Sequence, residues 1–138
     1  MDRPTSAIRS GRALALALLF GLAGPSLASE RGFPFDRELF LDAAPIGKSR
    51  RIPSLEVSAN GQATIDLWCA SGPGQVTIAG DAITIVPGPL VETQCTPERQ
   101  RGDDDLREVL ASVTTWRREG DAVVLTGSKV LRFRPATN

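Results

Sequence analysis

The stretch Ala63-Thr64-Ile65-Asp66-Leu67-Trp68-Cys69 decides the fold that we expect for this chain. Its apolar residues alternate with Thr64, Asp66 and Trp68, which is the two-residue period of a half-buried β-strand. The alternation directs the Cys69 thiol toward the core and the Trp68 side chain toward the opposite face. The stretch therefore predicts a sheet protein with a cysteine facing its interior.

Turn signals on both sides of this strand predict antiparallel hairpins. Asn60-Gly61 tolerates positive φ and should connect the strand to a shorter one at residues 55–57. Ser71-Gly72-Pro73-Gly74 should end the strand, because glycine and proline interrupt regular structure. Gly80-Asp81 then separates residues 76–79 from residues 82–86 in a second hairpin. Its inward-facing residues are predicted to be Val76, Ile78, Ile83 and Ile85.

One helix is predicted among further extended segments. We expect it to open at Asp103-Asp104-Asp105, because acidic residues favour a helix N-terminus, with Asp105 and Glu108 at capping-box spacing. One apolar stripe follows at helical spacing, formed by Leu106, Val109, Leu110 and Val113. The other extended segments are predicted at residues 35–41, 90–95, 114–117, 122–125 and 130–133. The chain therefore belongs to the α+β class, as a single small domain with a mostly antiparallel, curved, barrel-like sheet and one amphipathic helix in its C-terminal part.

Residues 1–28 have the features of a secretory signal peptide. Arginines at positions 3, 9 and 12 precede an apolar stretch, residues 13–24, that is too short to span a bilayer stably. Ser26-Leu27-Ala28 offers small residues to a signal peptidase, so we expect cleavage after Ala28 and a periplasmic or secreted location. No cysteine follows this site to carry a lipid anchor. Residues 29–53 then form a lead-in and first strand, and residues 54–138 form one domain together with residues 35–53.

Cys69 and Cys95 are the two cysteines of the chain. In an exported protein such a pair is typical of a structural disulfide, because nothing keeps thiols reduced outside the cytoplasm. Closing the loop between them would stabilise the fold by about 3 kcal/mol. Two buried free thiols are the alternative, and a redox centre is disfavoured because no C-x-x-C motif is present to tune a thiolate.

Composition narrows the classes of function. The chain has no histidine, which excludes Ser-His-Asp and Cys-His hydrolysis and histidine-ligated zinc. Removing residues 1–28 leaves a net charge of about −2, without the clustered lysines and arginines that nucleic acid or an anionic membrane requires. We therefore expect a protein that is not an enzyme and has no cofactor, no metal, no nucleic-acid partner and no stable membrane anchor.

A few acidic residues remain as candidates for chemistry. Asp66, Glu92 or the run Asp103-Asp104-Asp105 could supply a general acid or base if they converged in one cleft, which nothing in the sequence indicates. The aspartate run could also suggest calcium, but it lacks the alternating ligands and distal glutamate of a calcium loop. We interpret the run as a helix start.

Aromatic and loop residues suggest an interaction surface. Its candidate members are Trp68, Ser71, Gly72, Pro73, Gly74, Trp116 and Arg117. Tryptophan and arginine are enriched at binding hot spots, but in a small sheet protein a tryptophan more often covers the second face of the sheet. We prefer packing for both tryptophans.

Four motifs recur in the order of a known family. They are Trp68-Cys69-Ala70, Glu92-Thr93-Gln94-Cys95, Asp104-Asp105-Leu106 and Gly120-Asp121-Ala122-Val123-Val124-Leu125. With the hairpin around Gly80, they make residues 55–133 resemble the META domain, the fold of the HslJ heat-shock protein of the bacterial envelope. The chain departs from the family pattern at Ala70, where the family has asparagine, and at Gln94, where it has methionine.

The resemblance implies a function without catalysis. It points to a monomeric, exported envelope module linked to envelope stress or antibiotic tolerance, with an unknown envelope protein or small ligand as its partner. The alternative is a small secreted enzyme inhibitor, such as a protease inhibitor, that presents the predicted loop at residues 71–74 on a disulfide-supported scaffold.

Overall fold

The computed structural model describes residues 32–137, in which nine strands and one helix follow one another. The predicted signal peptide and its cleavage site lie outside these residues. The elements are β1 (Glu38–Leu41), β2 (Ser54–Val57), β3 (Gln62–Asp66), β4 (Ala70–Ala79), β5 (Ala82–Pro87), β6 (Val91–Glu92), α1 (Pro97–Ser112), β7 (Thr115–Glu119), β8 (Ala122–Thr126) and β9 (Val130–Pro135).

The strands form one antiparallel sheet that closes on itself. Their order is β3-β2-β1-β9-β8-β7-β5-β4, and an additional pairing of β3 with β4 completes a ring of eight strands. Strand β6 stands outside the ring and pairs with the first residues of β4. The predicted mostly antiparallel, barrel-like sheet with one helix is therefore confirmed.

The alternating strands place their apolar residues inside the ring. Ala63, Ile65, Leu67 and Cys69 are all buried, as the opening alternation predicts, although β3 itself ends at Asp66. In the hairpin of β4 and β5, Val76 lies opposite Ile85 and Ile78 opposite Ile83, so the predicted inward pairs are confirmed as cross-strand neighbours. These side chains join one hydrophobic core with residues of β1, β2, β8 and β9.

The helix begins six residues earlier than we expected from the aspartate run. Thr96 is the N-cap, its hydroxyl accepts a hydrogen bond from the Arg99 N–H, and a proline occupies the first turn. The predicted capping box of Asp105 and Glu108 is therefore wrong, because both residues lie inside the helix. The predicted apolar stripe is confirmed, since all four of its residues are buried against the ring.

The glycine and proline signals predicted that residues 71–74 interrupt the sheet, and this prediction is wrong. They belong to β4 and pair with β3 from Ser71 to Gln75. Pro73 lies where the partner of β4 on its other side changes, because β5 pairs only from Gly74 onward and β6 only up to Ser71. A proline is tolerated at such an interruption of the ladder.

Candidate binding surfaces

A buried aspartate holds the connection between β3 and β4. Asp103 is 2% exposed, and its Oδ1 accepts the Trp68 N–H at 2.7 Å while its Oδ2 accepts the N–H groups of Cys69 and Ala70 at 3.0 and 2.8 Å. One carboxylate of the helix therefore satisfies three consecutive backbone donors of the turn. This arrangement fixes the position of Trp68 between the ring and the helix.

Sequence reasoning missed this role of Asp103. With a helix that begins at Pro97, Asp103 falls on the same face as Leu106 and Leu110, three and seven residues further on. A charged residue on an apolar stripe is a signal that it has an interior partner. The signal was hidden because the aspartate run was placed at the helix start.

A disulfide also fixes the β3–β4 turn, in addition to the Asp103 carboxylate. Cys69 and Cys95 are bonded, with their Cα atoms 5.7 Å apart, which confirms the predicted pairing. Cys95 directly precedes the N-cap residue Thr96, so the bond ties the β3–β4 turn to the start of α1. The Thr93 hydroxyl and N–H also donate to the Cys69 carbonyl, at 3.0 and 3.3 Å.

The first candidate surface is a groove on the outside of the ring, which we call the outer groove. It has a volume of about 350 Å³ and lies over β3, β4 and the connection that follows β5. Its lining residues are Gln62, Ala63, Pro73, Gly74, Gln75, Val86, Gly88 and Pro89. Most of this surface is apolar, and the two glutamines supply amide donors and acceptors.

Two glycines of β4 allow close packing beside this groove. A Cβ atom on Gly74 would lie 2.7 Å from Ile65 Cδ1, and one on Gly72 would lie 2.6 Å from the Pro89 carbonyl oxygen. The chain after β5 therefore lies close beside β4, and the Pro73 carbonyl accepts the Gly88 N–H at 2.9 Å. The residues predicted as an exposed loop instead form a strand that lines a groove.

The remaining members of the predicted interaction surface lie elsewhere. Trp68 lines a separate cavity beside α1. Trp116 donates from Nε1 to the Gly80 carbonyl at 2.8 Å and meets Phe33 edge to face. Arg117 pairs with Glu119 at 3.0 Å on the outer face of β7. Both tryptophans are partly buried against the core. Pro73 and Gly74 line the outer groove, whereas Trp68 lines the cavity beside α1.

Three of the candidate acids, Asp66, Glu92 and Asp103, have structural partners. Asp66 pairs with Arg51 at 2.8 Å, Glu92 accepts a hydrogen bond from Gln100 at 3.4 Å, and Asp103 is bound to backbone donors. Within residues 32–137, no group of three or more acidic, cysteine or histidine side chains is placed to hold a metal ion. Over the same residues, no helix has the length and apolar character needed to cross a membrane.

A closed antiparallel ring with a late helix packed against it, tied by a disulfide at the helix start, defines the class of this protein. The META domain family model matches residues 38–138, and the chain belongs to that family. A solved structure described as "NMR structure of the protein" is similar in fold, with a TM-score of 0.57 and 13% sequence identity over 72% of this chain and 88% of that one. No curated protein matches the chain.

Proposed function

We propose that this META-domain protein is an exported module of the cell envelope that acts by binding and has no catalytic activity of its own. The disulfide between Cys69 and Cys95 carries the proposal. Such bonds persist in the periplasm or outside the cell, whereas cytoplasmic thiols are kept reduced. The basic and apolar segments of residues 1–28 support the same location.

Binding fits the build of the molecule. The interior of the ring is filled with leucine, isoleucine, valine and phenylalanine side chains, so a partner must be met on its outer surface. The outer groove offers an apolar floor with polar amides at its side, which is the usual composition of a recognition surface. Its partner is an envelope protein or a small ligand, and we propose a role in envelope stress or antibiotic tolerance.

Export is tested by fractionation combined with intact mass. We expect the protein in the periplasm or medium, with a mass that begins at Ser29 and with both cysteines protected from alkylation until a reductant is added. Retention of residues 1–28 on a cytoplasmic protein, or alkylation without reductant, would contradict export.

The role of the outer groove is tested by complementing a deletion strain. Val86 is 57% exposed in the groove, and Val130 is 64% exposed outside it. We expect Val86→Glu to abolish the recovery of growth under envelope stress or antibiotic treatment, because the charge disrupts the apolar floor. Val130→Glu is the matched control and should restore growth like the wild type. Equal growth with both variants would reject the groove, and a deletion without any phenotype would reject the stress role.

A further inference from the structure

A second cavity, which we call the helix-side cavity, lies between α1 and the ring. It has a volume of about 280 Å³, and its walls come from α1, the chain after β1, the β3–β4 turn and β9. Trp68 supplies an aromatic wall, and Leu106, Val109 and Leu131 supply aliphatic ones. The Asp103 carboxylate and the disulfide hold the turn that carries Trp68, so this wall is positioned before any ligand arrives.

The helix leaves room for this wall because Gly102 has no side chain. A Cβ atom there would lie 3.3 Å from Trp68 Cε3 and would collide with Ile46. Trp68 and Ile46 therefore approach the helix backbone directly. The cavity is formed by close packing around its base and is open at its rim.

The rim carries one charge of each sign. Asp105 of α1 and Lys129, just before β9, both line the cavity and are exposed. Among the ion pairs of residues 32–137, neither side chain takes part. A carboxylate and an ammonium group at the mouth of an apolar cavity are complementary to a ligand that carries both charges on an apolar body.

We propose that the helix-side cavity binds a small zwitterion with an apolar side chain, in the size class of a hydrophobic α-amino acid. The ligand carboxylate meets Lys129, its ammonium group meets Asp105, and its side chain packs against Trp68 and Leu106. A ligand of this size fits a cavity of 280 Å³ and should bind with a dissociation constant on the order of 1 mM. This site is separate from the outer groove and does not depend on export.

The proposal is tested by titrating the purified, oxidised mature chain with L-phenylalanine and L-leucine while recording amide and indole N–H resonances. We expect saturable shifts of the Trp68 indole N–H and the Gly102 amide. The Trp116 indole N–H, which is bound to the Gly80 carbonyl, is the internal control and should not shift. The absence of saturable shifts with both amino acids at concentrations on the order of 10 mM would overturn the proposal.

Charge recognition is tested with single-charge analogues and matched variants. Phenethylamine lacks the carboxylate and 3-phenylpropionate lacks the ammonium group, so each should bind at least about fivefold more weakly than L-phenylalanine. Lys129→Ala and Asp105→Asn should weaken L-phenylalanine binding to a similar extent. Lys48→Ala and Asp104→Asn, which alter residues outside the cavity lining, should leave it unchanged. Equal affinity for all three compounds would show a purely apolar cavity and would also overturn the proposal.

Discussion

At the scale of single residues, Asp103 joins the helix to the sheet. Its two carboxylate oxygens accept three backbone N–H groups that would otherwise lie buried without partners in the β3–β4 turn. Asp104, its neighbour in the chain, is exposed. Two adjacent residues of the same type therefore have very different importance for the fold, and only their position on the helix distinguishes them.

We expect Asp103→Asn to lower the free energy of unfolding by about 2–3 kcal/mol. Asparagine replaces one of the two acceptor oxygens with an NH₂ group, which cannot accept a hydrogen bond from the backbone N–H that faces it. Asp104→Asn should change the free energy of unfolding by less than about 0.5 kcal/mol, as exposed substitutions usually do. Urea denaturation of both variants measures the difference. Equal midpoints for the two variants would show that the carboxylate does not support the turn.

Within residues 32–137, Glu119 is a carboxyl group whose pKa is lowered by its neighbours. A hydrogen bond from Arg132 lowers the pKa of the Glu119 carboxyl, desolvation opposes this, and the positive charges of Arg132, Arg117 and Arg134 lower the pKa further. Because its pKa in the folded state lies below that of the unfolded chain, Glu119 stabilises the fold above the ordinary glutamate pKa. This contribution is lost as the pH falls through the folded-state pKa.

We expect Arg132→Gln to raise the pKa of Glu119 toward the ordinary glutamate value, because it removes the hydrogen bond and the nearest positive charge. An NMR titration of the Glu119 side-chain carboxyl measures this shift. Arg101→Gln, on the exposed side of α1, is the control and should leave the pKa of Glu119 unchanged. A pKa that stays low in Arg132→Gln would assign the effect to the other two arginines.

At the scale of elements, α1 is fixed to the ring at its start and along its length. The disulfide holds the residue before its N-cap, Asp103 binds the β3–β4 turn from its second turn, and the apolar stripe enters the core. At its end, the Ser112 hydroxyl donates to the Val109 carbonyl at 2.7 Å and accepts the Ser128 N–H at 2.9 Å. These contacts make the helix a part of the core and not an attachment to it.

We expect Cys69→Ser with Cys95→Ser to lower the free energy of unfolding by about 3 kcal/mol, because the unfolded chain is released from its cross-link. Urea denaturation with and without reductant measures this effect. Reduction should lower the stability of the wild type to a similar extent and leave the double variant unchanged. A fully reduced wild type with an unaltered midpoint would show that the bond does not contribute to stability.

At the scale of the whole molecule, the ring has one weakly paired seam, which is the contact between β5 and β7. Strands β3 and β4 share five register pairs, whereas β5 and β7 share one, Ala82 with Thr115. Hydrogen bonds from the Ile83 N–H to the Thr114 carbonyl and from the Trp116 N–H to the Asp81 carbonyl complete this seam. The helix α1 packs against β5, the strand that has only this short pairing with β7.

We expect the amides of Ile83 and Trp116 to exchange with solvent at a lower opening free energy than the amides between β3 and β4. Fewer hydrogen bonds must break to open the seam, so it should open without global unfolding. Native-state hydrogen exchange in increasing denaturant measures both groups in one sample. Exchange of both groups only at the global unfolding free energy would show that the ring opens as one unit.

The sequence by itself determined the periodic parts of this protein. The alternation of apolar and polar residues from Ala63 to Cys69 predicted a strand, and the glycine turns at Gly61 and Gly80 predicted hairpins. These signals are local, because they depend on side-chain direction and on the backbone freedom of single residues. The Cys69–Cys95 bond was predicted from the number of cysteines and the expected compartment. The apolar stripe of α1 was predicted for the same local reason.

Only the tertiary structure decided which elements meet. Residues 71–74 look like a break in the chain, but pairing with β3 and the change of partner at Pro73 make them part of a strand. Asp103 looks like a residue of a helix N-terminus, but three backbone donors 33 to 35 positions away give it a buried role. Closure of the ring and both cavities likewise depend on contacts between distant segments, and no local pattern encodes such contacts because their energies arise only when the chain is folded.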